Sequence, residues 1–107
     1  MIVDHRTYKV KPGTLPQQLA IYEKYAFPTQ VKYLGEPLAF LTAETGELNT
    51  MIHLWAYESA ADREQRRAAM AADPAWATYL KANTEGGYLV DMHTNLMVPT
   101  SFAPIRR

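Results

Sequence analysis

Imidazole titrates near neutral pH, so the histidines open the search for acid–base chemistry. Of the three, His53 and His93 fall within long apolar segments. Asp91 stands two residues before His93, on the same side of an extended chain, where a carboxylate fixes a tautomer. Arg6 offers a planar fork to an anionic group, or else a salt bridge to Asp4 or Asp91. These residues make His53, His93 and Asp91 the candidate catalytic groups. Arg6, Tyr8, Asn49, Trp55 and Asn95 are the candidate substrate-binding groups. Each has a structural reading beside the functional one: a hydrogen-bonded core histidine, or an aromatic that fills an interface. No metal is expected, because H-E-x-x-H is absent and the chain has no cysteine. No cofactor is expected either. Gly86-Gly87 precedes a strand, whereas a phosphate loop precedes a helix.

The elements that must position these groups are legible in the spacing. Ile2 to Lys9 reads as a strand, and Pro12-Gly13 turns the chain. Thr14 with Gln17 fits a capping box. Leu15, Leu19, Tyr22 and Ala26 then form one helical stripe, which Pro28 is expected to end. Leu38 to Ala43 and Leu48 to Ala56 read as a hairpin. Ser59 caps a helix over Ala60 to Ala72, with Asp62 at the box position. Asp73 caps a second helix, with Pro74 at its first position and Trp76, Tyr79 and Leu80 on its apolar face. Gly86-Gly87 stops it, and Tyr88 to Val98 is the last strand.

The order βαββαβ predicts an α+β, ferredoxin-like fold. A four-stranded antiparallel sheet, ordered 4-1-3-2, carries the helices on one face. Leu48, Thr50, Ile52, Leu54 and Ala56 are expected under the helices, with Tyr88, Val90, Met92, Leu96 and Val98 beside them. The opposite face then holds Asn49, Met51, His53, Trp55 and Tyr57 from one strand, and Leu89, Asp91, His93, Asn95 and Met97 from the other. The first strand is ambiguous between Ile2, Asp4, Arg6, Tyr8 and Val3, His5, Thr7, Lys9. A helix-free face mixing aromatics with polar groups suits a second copy of the chain closing over a polar cavity. Arg6, His53, Asp91 and His93 are expected to line that one pocket beneath the dimer interface.

The 107 residues are enough for one domain, and 48% hydrophobic composition suits a globular core. Eleven basic residues balance eleven acidic ones, which argues against a nucleic-acid partner. No apolar run is long enough for a membrane span, and the N-terminus lacks a signal-peptide pattern. A cytoplasmic protein is the expectation. The run Asp62-Arg63-Glu64-Gln65-Arg66-Arg67 reads as a solvated helix surface, with Asp62–Arg66 and Glu64–Arg67 as pairs.

Arg6-Thr7-Tyr8 followed by Pro12-Gly13 resembles the first strand and turn of NIPSNAP proteins. So does the central series Leu48-Asn49, His53-Leu54-Trp55, Tyr57-Glu58-Ser59, Arg63, Arg66-Arg67, Asp73-Pro74, Trp76 and Tyr79. The resemblance covers nearly the whole chain, residues 1–100 as the domain and 101–107 as a tail. It implies the dimeric α/β-barrel superfamily, in which two ferredoxin-like sheets enclose a barrel, and hence a homodimer. Asp4-His5 departs from the family pattern of Glu and an aliphatic residue. The alignment implies that Asp4, Arg6 and Tyr8 face the cavity, while His5 takes a core-facing place. It also raises a role for the arginines in helix–helix or dimer contacts. The superfamily includes cofactor-free monooxygenases, haem-handling enzymes and isomerases, an analogy of fold that assigns no reaction. Two readings follow, and both leave open whether the protein is an enzyme. One is a homodimeric barrel binding or transforming a small anionic or aromatic molecule. The alternative is a non-catalytic protein-interaction module.

Overall fold

The computed structural model describes residues 1–105; Arg106 and Arg107, the end of the expected tail, lie outside the described residues. The elements are β1 (Ile2–Val10), α1 (Leu15–Ile21), a π-helical turn (Tyr22–Ala26), α2 (Phe27–Leu34), β2 (Ala39–Thr42), β3 (Thr50–Tyr57), α3 (Ala60–Ala72), α4 (Pro74–Gly86) and β4 (Leu89–Met97). The strands form one antiparallel sheet in the order β2-β3-β1-β4, the ferredoxin-like order expected from the sequence. Central β1 pairs Arg6 with His53 on one side and with Thr94 on the other.

The first helix does not end at Pro28. It continues as α2 to Leu34, and Gly35 closes it with φ of 80°. Proline lacks an N–H and its ring crowds the carbonyl four residues back, which an α-helical ladder does not accommodate. The π turn widens the helix just ahead of Pro28, and the Phe27 N–H donates five residues back, to Tyr22 O. Thr14 differs too. Its hydroxyl donates to Lys11 O at 2.6 Å, and α1 has no side-chain cap. The later caps match the sequence. Ser59 Oγ accepts from Asp62 N, Asp73 Oδ1 accepts from Ala75 N, and Gly87 takes the left-handed conformation after α4.

The sheet's facing is the main correction. Trp55 and Tyr57 pack with Leu34 of α2 and Met70 of α3, so their row lies under the helices. Cross-strand pairing places Met51, His53, Asp4, Arg6, Tyr8, Met92, Thr94 and Leu96 on that same side. Ile52, Leu54 and Ala56, expected in the core, instead share the helix-free face with Leu41, His93, Asn95 and Met97. The helix layer presents Tyr22, Phe27, Tyr33, Trp76 and Tyr79, and it takes the aromatic row of β3. In β4 the predicted sides hold except at one end. Pairing jumps from Lys9↔Asp91 to Val10↔Leu89, so Val90 is an extra, bulged residue. Leu89 therefore joins Met92 on the helix side.

Candidate functional site

Asp4 is wholly buried at the middle of the sheet. Its Oδ2 accepts from Arg6 Nη1 at 3.2 Å and from Arg63 Nε at 3.0 Å, and Thr94 Oγ1 donates to Oδ1. Burial alone would raise the Asp4 carboxyl, but the Thr94 hydrogen bond and the two guanidiniums outweigh it and hold it below the ordinary value. Arg6 is in turn held between Asp4 and the Tyr8 hydroxyl, to which its Nε donates at 2.9 Å. Of the two partners open to Arg6 in the sequence, Asp4 is the one it takes. Asp91 lies across the sheet.

His53 is fully buried, sandwiched between the rings of Tyr8 and Phe40 at 4.9 and 4.7 Å. Trp55 Nε1 donates to its Nδ1 at 2.6 Å, which puts the ring proton on Nε2. Burial, reinforced by Arg6 and opposed only by Asp4, lowers its pKa to about 3. His53 is thus a neutral core imidazole at physiological pH. His93, Asp91 and Asn95 are exposed on the opposite face, so the single pocket expected for Arg6, His53, Asp91 and His93 does not form. A sheet separates the two halves. Asn49 is also elsewhere. At φ of 60° it turns the chain into β3, its carbonyl accepting from Val10 N and its Oδ1 from Gly13 N. Trp55 is core packing, and His5 faces the helix-free side opposite Leu54 and Asn95.

What Arg6 and Tyr8 do line is a cavity of about 200 Å³ between the sheet and the helices. The π turn supplies Tyr22, α2 Gln30, and α3 Arg67. Trp76, Tyr79, Leu80 and Asn83 come from α4, and Leu89 and Met92 from β4. A cleft of about 300 Å³ beside Leu19, Tyr22, Phe27 and Phe40 is larger but more open, with Glu23 its one charged group. Tyr22 lines both, but only the smaller cavity brings two unpartnered buried polar groups together. The Tyr22 hydroxyl and Gln30 Oε1 belong to residues only 4% and 3% exposed, line the cavity, and have no partner. Such groups are rarely left so without a water or ligand. Burial, with Tyr8 and Tyr79 nearby, pushes the Tyr22 phenol far up, and Tyr79 rises to about 12 for the same first reason. Both remain hydroxyl donors.

Sequence reasoning passed over Tyr22, Gln30, Arg67, Tyr79 and Asn83 as site residues. One signal for Arg67 was present. Arg63 and Arg67 are four apart, one helical face, and Met70 three further on is buried. Arg66 faces out and pairs with Asp62 at 2.8 Å, as expected. Arg67 turns to the cavity instead of pairing with Glu64.

A four-stranded antiparallel sheet in the order β2-β3-β1-β4, with its helices on one face over a buried aspartate–arginine cluster, is a ferredoxin-like α+β domain by its topology. Solved structures of antibiotic biosynthesis monooxygenase type share that fold, one of them with a TM-score of 0.61 at 15% identity. A closer relation is shown by the NIPSNAP family model, which matches residues 3–104; the chain belongs to the NIPSNAP family. A NipSnap homologue of Dictyostelium discoideum is 35% identical over 94 residues, covering 88% of this chain and 40% of the relative. NipSnap of Drosophila melanogaster is 26% identical over 103 residues, 96% of this chain and 36% of the relative. The chain thus spans well under half the length of these relatives. A NIPSNAP family protein from Agrobacterium tumefaciens, described as of unknown function, superposes with a TM-score of 0.91 at 32% identity. The match covers 99% of this chain and 94% of that one. An uncharacterised NIPSNAP domain protein from Burkholderia xenovorans gives 0.90 at 30%, covering 98% and 100%. Among the described residues no helix is long and apolar enough to cross a membrane, and no group of three ligating side chains could hold a metal.

Proposed function

We propose that this NIPSNAP domain binds a small organic molecule in the cavity between its sheet and helices, and that it does so as a homodimer. The observation that carries the binding reading is the pair of unpartnered, buried polar groups, Tyr22 hydroxyl and Gln30 carbonyl, in one cavity. A ligand that bonds them removes a desolvation penalty of about 1–3 kcal/mol for each. The described lining holds guanidiniums, phenols, amides and an indole, with no carboxylate or imidazole. It favours holding a molecule over moving its protons, and gives His53, His93 and Asp91 no joint catalytic step. The dimer reading rests on Leu41 and Met97, about half exposed on the helix-free face, and on the Ile52–Leu54 row between them. A second reading, an interaction module, draws on edge strand β4, where Met92 and Leu96 are also about half exposed.

Native mass spectrometry of gently purified protein tests the binding reading. The expected result is an added small mass, lost in Leu80→Trp, which fills the cavity from its rim. Clean unliganded protein, or an adduct that survives Leu80→Trp, would favour the interaction module.

A further inference from the structure

The charge around the cavity does not balance. Asp4 is the one carboxylate that reaches this region from the sheet, and both its oxygens are occupied, Oδ2 by Arg6 and Arg63 and Oδ1 by Thr94. Two guanidiniums already offset its single charge. Arg67, half-buried on α3, lines the cavity beside the Tyr57 hydroxyl and has no carboxylate at ion-pair distance among the described residues. The excess positive charge is felt nearby, since Arg6 and Arg67 both help keep the His53 imidazole neutral. A guanidinium in a partly dry wall gains most from an anion that its fork can grip with two hydrogen bonds.

The rest of the lining has a different character. Trp76, Leu80, Leu89 and Met92 offer an apolar surface, and the Tyr22 hydroxyl is a free donor because its phenol stays protonated. A volume of about 200 Å³ suits a single ring or a short branched chain, below the usual range for drug-sized ligands. We infer that the cavity takes a small organic carboxylate, its oxygens on Arg67 and its carbon body against Trp76, Leu80 and Met92. This inference rests on the binding reading above and adds the chemical class of the ligand.

Benzoate and benzamide share a shape and differ in charge, and benzamide alone carries an N–H for the Gln30 carbonyl, so a preference for benzoate over it isolates the charge. Calorimetric titration of the full chain should show benzoate binding about tenfold tighter or more, the worth of a charged hydrogen bond. The preference should hold steady from pH 6 to 9, where the benzoate probe stays ionised. Arg67→Gln should erase the difference between the probes, and Arg67→Lys, which keeps the charge without the fork, should retain part of it. The lysine variant also answers the case in which the glutamine variant fails to fold. Equal binding of both probes overturns the carboxylate inference and leaves the cavity reading standing. So does inorganic phosphate binding as well as benzoate, because the apolar wall would then contribute nothing. Binding of neither probe also overturns the inference, while the native-mass experiment judges the cavity independently.

Discussion

A buried imidazole whose Nδ1 already accepts an indole N–H has little room for a second proton. Protonating His53 would turn Nδ1 into a donor facing the Trp55 donor, inside a shell of aromatic rings and near two guanidiniums. The folded pKa of about 3 therefore lies below the ordinary 6.5. The sign follows from proton binding. Above pH 6.5 both folded and unfolded chains are neutral at this residue, and it adds no pH dependence. As pH falls from 6.5 toward 3, the unfolded chain takes a proton that the folded chain refuses. Stability then falls by up to about 1.4 kcal/mol per pH unit, and levels off below 3. His53→Gln keeps an acceptor for Trp55 and removes the titration. Urea midpoints at pH 6.5 and 4.5 should show the native chain losing about 2 kcal/mol more than the variant over this window. Parallel losses in the two proteins would mean that His53 is protonated in the fold.

Two elements owe their positions to single backbone features. The π turn at Tyr22–Ala26 carries Tyr22 into the cavity wall and lets the helix run on through Pro28 to Gln30. At the other end of the helix layer, Gly86 closes α4 against α1. A Cβ there would come within 2.8 Å of Ile21 Cδ1 and 3.2 Å of the Tyr88 ring. Alanine ordinarily stabilises a helix relative to glycine by about 1 kcal/mol. Here the contact should reverse the sign, and Gly86→Ala should cost about 1 kcal/mol. Ile21→Val removes the offending methyl, so adding Gly86→Ala to that background should be neutral or stabilising. A double-mutant cycle in urea reads the coupling directly. Alanine stabilising both backgrounds equally would show that α4 and α1 have slack at this contact.

At the scale of the whole molecule, the sheet is covered on one side and open on the other. Its open face divides into an aliphatic half, with Leu41, Ile52 and Leu54, and a polar half, with Asp91, His93 and Asn95. A self-complementary two-fold contact would bury the aliphatic half and keep the polar half hydrated. Light scattering should therefore give about twice the 12.1 kDa chain mass at micromolar concentration. Leu54→Asp, which adds a charge to the middle of the open face and leaves the helix side untouched, should give the monomer mass with its far-ultraviolet dichroism retained. A native monomer, or a dimer indifferent to Leu54→Asp, would move the interface elsewhere and draw attention to the β4 edge.

Local chemistry alone determined much of this protein. The βαββαβ order, the caps at Ser59 and Asp73 and the stop at Gly86-Gly87 follow from hydrogen-bonding residues at fixed spacing, and the chain's likeness to NIPSNAP proteins was carried by short motifs in order. Alternation also sorted β1, β3 and β4 into two rows correctly, apart from Asn49, which turns the chain ahead of β3, and the bulge at Val90, whose extra residue leaves no pattern in the side chains. What alternation does not contain is which row meets the helices. In β3 both rows are apolar enough to be buried, the aliphatic Ile52–Leu54 row as much as the Met51–Trp55 row. Only the helix layer's own aromatic surface decided between them. That one choice put Arg6 and His53 on the far side of the sheet from Asp91 and His93. The cavity then had to be completed by Tyr22, Gln30 and Arg67, from helices that meet the sheet only in three dimensions.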